Sequence, residues 1–193
     1  YNDTVFYVLA APKKLEEAYN IKKDYAVQAV KQLQAKFDYV IVDTTSMFSV
    51  LNLALLDLST IVTFLGIVDF IPTIKNMKIG SDTLNDLNYD KNKIRLVLNR
   101  SNAKTRISID DVEKLLGEKF YHILPNDFRA ASQSIKEGIP LVLKNDTTAL
   151  SEALCDLVAR YTNSGGYNET DKADMVDDVS GDGDGSWLHR LFH

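Results

Sequence analysis

The chain has 193 residues, 45% of them apolar and 25% charged, a length and balance that suit one domain with a buried core. No apolar stretch is long enough to span a bilayer, nothing at the start reads as a signal peptide, and one cysteine excludes a disulfide framework and a cysteine-held metal cluster. The net charge of −5 is carried after residue 162, where seven acids meet two bases; the body balances 20 against 20 and offers no broad field for nucleic acid.

Residues 4–10 are apolar, β-branched or aromatic and predict a strand halted by Pro12. A charged helix is expected over 15–36, with Ala26, Val27, Val30 and Leu33 at helical spacing. Residues 39–42 form a continuous apolar run that ends at Asp43, as a parallel strand covered on both faces would. Residues 50–58 predict a short apolar helix, 60–65 a third strand, and 70–87 a helix with Pro72 in its first turn.

A fourth strand is expected at 94–98. Ser108 then caps a helix, with Asp111 three residues on and Gly117 closing its far end. Residues 120–124 predict a fifth strand, Asp127 starts a helix that runs to Gly138, 140–143 is extended, and 147–161 is a last amphipathic helix. Cys155 falls in its apolar pattern and reads as a buried, inert thiol. Strands alternating with helices argue for an α/β fold, a parallel sheet with helices on both faces.

Three strand ends carry distinctive residues. Asp43 follows VIV, Asn99-Arg100 follows IRLVL, and Pro125-Asn126-Asp127 follows HIL. In a parallel sheet all three share one rim, where such sheets bind ligands. An asparagine offers the donor and the acceptor that an adenine edge requires. A turn-forming Asn99 and a helix-capping Asp127 are the plainer alternatives. His122, His189 and His193 lack the spacing of a metal site, and Lys91, Lys93 and Arg95 read as a solvated face beside a strand.

The segments FDYVIVDTTSMFS, LVLNRSNAKTRISIDDVEKLLG and ILPNDFRAASQSIKEGIPLVL resemble successive motifs of the MinD/ParA group of deviant-Walker ATPases, closest to the CpaE/TadZ branch that serves tight-adherence (Flp-type) pili. The resemblance implies a P-loop NTPase fold over 1–162, with ATP and Mg²⁺ as cofactors. It matches Asp43 to the Walker B aspartate, which acts on Mg²⁺ through water, and Thr44 and Thr45 to the start of the switch loop. It matches Asn99 to the adenine-reading asparagine with Arg100 beside it, and Pro125, Asn126 and Asp127 to the loop along the base. A homodimer, pilus-assembly or secretion proteins and the inner membrane surface are the partners it implies; the neutral body argues against a specific nucleic-acid partner, and the composition points to a cytoplasmic location.

Two departures stand out. Thr44-Thr45 replace the family's proline or small residue, which bears on hydrolysis. No glycine-rich loop with a Lys-Ser/Thr ending is present; in the family it lies upstream, so the sequence reads as an N-terminally truncated piece, inactive alone, lacking the P-loop strand and helix. The alternative is a catalytically weak scaffold of the same fold.

Residues 163–186 replace the apolar pattern with glycines and acids and predict a disordered linker. In 187–193, Trp187, Leu188, Leu191 and Phe192 gather on one side of a helix, resembling the membrane-targeting end of MinD proteins. A partner-docking peptide is the competing reading.

Overall fold

The computed structural model describes residues 6–101 and 107–162. The chain forms two units, Tyr1–Thr60 and Ile61–His193, each with its own packing. The expected linker at 163–186 and the expected terminal helix at 187–193 lie outside the described residues.

The first unit is helical. The helix expected over 15–36 is two helices, α1 (Leu15–Tyr19) and α2 (Lys23–Gln34). The break falls at Asn20, whose side chain competes with helical hydrogen bonding and favours a helix end. Asp24 lies in the first turn of α2 and Lys31 in its last, each complementing the helix dipole. α3 (Val50–Leu58) packs against α2, and Gln34 Nε2 donates to Leu58 O at 3.2 Å to cap its end. Ser49 caps its start by accepting from Asn52 N at 3.2 Å.

Neither early strand is present among the described residues. Residues 6–10 and 39–42 are irregular, with no backbone ladder among the described residues, and Ile41 is 94% exposed. A strand needs partners for every N–H and C=O and cover for its apolar side chains; nothing described supplies either. Tyr7 in the first of these segments meets Phe37, two residues before the second, with ring centroids 5.2 Å apart.

The second unit is a three-stranded parallel sheet in the order β1 (Val62–Gly66), β2 (Ile94–Leu98), β3 (His122–Ile123). α4 (Ile71–Asp86) and α5 (Ile109–Leu116) form the crossovers. α6 (Phe128–Glu137), a 3₁₀ turn (Leu141–Leu143) and α7 (Ala149–Thr162) complete it. The turn replaces the extended stretch expected at 140–143; Pro140 fixes its start and its carbonyl accepts from Leu143 N at 2.9 Å.

Alternation along β2 divides the core. Leu96 and Leu98 face Ile74 and Met77 of α4 and Val112 and Leu116 of α5. Val97 faces the other way, onto Leu157 of α7 with Leu150, Leu154 and Tyr161 around it. Helices therefore cover both faces, as a near-continuous apolar strand requires. Close approach of α4 to β1 depends on Gly80, where a Cβ would stand 2.6 Å from Phe64 Cζ. Gly117, at φ 76°, closes α5 in the left-handed conformation.

Two surface expectations are corrected. Cys155 is exposed, because α7 turns Leu154 and Leu157 inward and leaves 155 outside. Arg95 is no solvated lysine-like charge: its guanidinium sits 4.8 Å from the Tyr121 ring centroid, on the face that α7 covers. Lys93 likewise lies over an aromatic ring, 5.7 Å from that of Tyr89.

Candidate functional site

The carboxyl ends of the three strands form the rim of the second unit. β1 runs on into Ile67, Val68 and Asp69, β2 into Asn99, Arg100 and Ser101, and β3 into Leu124, Pro125, Asn126 and Asp127. Three backbone bonds extend the ladder past the strands. Asn99 N donates to Gly66 O at 2.8 Å, Leu124 N to Leu98 O at 2.8 Å, and Ser101 N to Leu124 O at 3.1 Å. Residues 99–101 are thereby stitched to the loops on either side.

Asn99 is half-buried, and its amide meets no hydrogen-bonding partner among the described residues. Arg100 stands at φ 60°, a left-handed conformation costing a non-glycine residue about 1–2 kcal/mol. Its Nη1 lies 3.2 Å from Asp69 Oδ2, which anchors the arginine in that conformation. Asp69 is missing from the sequence reading, although an acid after an apolar run was the signal used at Asp43. Its side chain is only 10% exposed, and Oδ1 is buried without a hydrogen-bond partner among the described residues. An unused acceptor of this kind carries a desolvation cost.

On the third strand, Pro125 and Asn126 are half-buried. Asp127 has the plainer of its two roles: Oδ1 accepts from Ala130 N at 2.9 Å and caps α6. Its backbone still lies on the rim. Asn99, Arg100 and the 125–127 loop are thus brought together within one unit.

Asp43, Thr44 and Thr45 belong to the other unit, in its irregular, exposed segment. Asn52 organises the loop between them and α3. This buried amide donates from Nδ2 to Thr45 Oγ1 at 2.9 Å, to Thr45 O at 3.3 Å and to Met47 O at 2.7 Å. A polar residue inside the apolar helix VLNLALLDL was the sequence signal for it. Among the described residues no three His, Cys, Asp or Glu side chains gather as a metal cage. Mg²⁺ beside phosphates needs only one or two protein carboxylates, so an exposed Asp43 fits that use.

No protein-family model matches the sequence, and no curated protein matches it significantly. Solved structures do match. A ParA family ATPase from Chlorobium tepidum TLS superposes with a TM-score of 0.70 at 19% identity, covering 76% of this chain and 60% of that one. The MinD cell division protein of Aquifex aeolicus gives 0.58 at 18% identity, covering 77% and 63%. The cell division ATPase MinD of Pyrococcus furiosus gives 0.56 at 19%, covering 75% and 62%.

The fold is that of the ParA and MinD ATPases. The chain spans about 60–63% of the length of those structures. In this P-loop NTPase fold the rim at 99–101 and 125–127 lies at the carboxyl ends of parallel strands, where doubly wound sheets take their ligands.

Proposed function

We propose that the chain is part of an ATP-binding, dimerising ATPase of the ParA/MinD type that positions or assembles a cell-envelope machine, a Flp-type pilus of the CpaE/TadZ kind. The reading is carried by the unspent amide of Asn99, whose backbone N–H is held by the Gly66 carbonyl while that of Ser101, two residues on, is held by the Leu124 carbonyl. An adenine edge presents a donor and an acceptor, which that amide complements. Asp43 acts on Mg²⁺ through water, and the dimer brings two nucleotides into one sandwich. Phosphoryl transfer to water then depends on positioning and charge stabilisation, not on a covalent intermediate.

Nucleotide titration of the full-length protein tests this. Asn99→Ala removes both base contacts, and the preference for ATP over GTP falls by about 1–3 kcal/mol. An unchanged preference makes Asn99 a turn residue and defeats the assignment. The apolar set Trp187, Leu188, Leu191 and Phe192 attaches the dimer to the inner membrane face, two weak anchors acting together. Liposome sedimentation that survives Leu191→Glu with Phe192→Glu rules that attachment out.

A catalytically weak scaffold is the second reading. The exposed, irregular stretch around Asp43 and the Thr44-Thr45 pair favour it. ATP-driven dimerisation without turnover in the full-length protein distinguishes it from the ATPase.

A further inference from the structure

β2 changes edge at its carboxyl end. Leu96 and Leu98 turn their carbonyls toward β3, accepting from Tyr121 N at 2.7 Å and from Leu124 N at 2.8 Å. Asn99 turns its N–H the other way, to Gly66 O of β1 at 2.8 Å. In an extended strand, residues two apart face the same edge, so Ser101 would donate toward β1 as Asn99 does. It donates instead to Leu124 O, on the β3 side, at 3.1 Å. Arg100, at φ 60°, makes the reversal.

Glycine takes that conformation without strain, and asparagine takes it readily. Among the described residues at positive φ, Gly117, Gly138 and Asn88 follow that rule and Arg100 does not. A strained residue at a ligand-binding rim points to a use for its side chain. Here the guanidinium reaches across to the loop after β1, where Nη1 meets Asp69 Oδ2 at 3.2 Å. The Asp69 side chain is only 10% exposed, and its Oδ1 has no partner among the described residues. A carboxylate held out of water needs its cation, and Arg100 supplies it from the turned backbone.

Asn99 therefore has an anchor on each side. Its own N–H is fixed to Gly66 O, and the residue after it is fixed to Asp69, three residues beyond Gly66. The Asn99 amide makes no hydrogen bond among the described residues, so its direction comes from the backbone that carries it.

Resting on the adenine reading of Asn99, we propose that Asp69 is a positioning residue of the nucleotide site: by holding Arg100 left-handed, it aims the Asn99 amide at the purine edge. Asp69 touches no nucleotide in this role. Its effect falls on the choice between purines and reaches the base through the turn.

Titration of the full-length protein with ATP and GTP, together with amide exchange of the free protein, tests the role. Asp69→Asn keeps the shape and removes the charge, and the preference for ATP over GTP falls about threefold to tenfold. Ser101 N–H then exchanges about tenfold faster, because its bond to Leu124 O depends on the turn, while Leu124 N–H keeps its protection in the ladder. Asp69→Glu keeps the charge and part of both properties. In an Arg100→Gly background the turn needs no anchor, so adding Asp69→Asn moves neither readout further. Arg100→Gln breaks the pair from its half-exposed side and lowers the preference likewise, so the test stands even where Asp69→Asn impairs folding. A Ser101 amide unmoved by Asp69→Asn overturns the proposal. So does an equal loss of preference with and without the Arg100 side chain, which would mean that Asp69 meets the nucleotide itself. A preference that responds to Asn99→Ala and not to Asp69→Asn defeats the positioning role alone. One indifferent to Asn99→Ala defeats the adenine reading and the positioning role with it.

Discussion

Residues 39–42 and 94–98 look alike as sequence, two apolar runs each ending in a polar residue, and they fold differently. Val97 and Leu98 are 0% exposed between neighbouring strands and beneath helices on both faces, whereas Ile41 is 94% exposed in an irregular segment. Arg95 apart, composition is similar; the surroundings are not. β2 has a ladder on each edge and α4, α5 and α7 over its faces. Segment 39–42 has no ladder among the described residues. An apolar run states a capacity to be a strand, and neighbours decide whether it is realised.

The sharpest way to break this comparison is to truncate one side chain in each run. Leu98→Ala removes a buried side chain and leaves a cavity against Ile74, Val112 and Leu116, at a cost of about 2–5 kcal/mol. Ile41→Ala removes a side chain already in water and changes stability by less than about 0.5 kcal/mol. Urea unfolding of both variants reads the difference. Equal losses would show Ile41 to be covered in solution, and the contrast would collapse.

Asn52 sharpens the comparison from the other side, because polar contacts hold what packing does not. Its amide serves three acceptors in residues 45–47, just beyond Asp43. Asn52→Ala costs the first unit about 1–2 kcal/mol and frees the loop. Chymotryptic cleavage beside Phe48 is then faster, while the second unit keeps its urea midpoint. Unchanged cleavage would mean that the loop is held by something other than that amide.

Local chemistry accounts for the features that were legible in the sequence. Ser108 with Asp111, Gly117, Asp127 and Gly138 mark helix ends through bonds made within a few residues, and each does so in the structure. The strand at 94–98 was legible because five apolar or long side chains in a row suit two-sided burial. Asp69 and the place of Arg95 over Tyr121 were not, since each depends on a partner far away in the chain, Arg100 and Tyr121; Asn52 had a signal as a polar residue in an apolar helix, but its acceptors five and seven residues back depend on a folded loop. The rim residues were found from the order of motifs, and the role of Asp127 as a cap was open beside its role on the rim. Residues 39–42 failed for the reason given by their exposure.

The smallest effect concerns how β3 is covered. His122 is buried on β3, and because a carbonyl can only accept, its Nε2–H donates to Ala153 O of α7 at 2.7 Å. Burial lowers its pKa below the ordinary 6.5; the Ala153 bond opposes that shift, Arg160 adds to it, and Asp156 opposes it. The unfolded chain therefore takes up a proton near pH 6.5 while the native ring stays neutral, so stability falls as pH drops below about 6.5 and levels off once the native ring titrates. Protonation leaves the Nε2–H bond in place, so the loss comes from the buried charge and weakens the cover of β3, not its ladder. His122→Gln removes this proton linkage, and subtracting its unfolding free energy from that of the wild type cancels every other titrating group. That difference should be flat above about pH 7.5 and shrink steadily below 6.5. A difference that does not change between pH 8 and pH 5 would mean the ring is solvated in the native state, and α7 would then be a looser cover than β2 and β3 require.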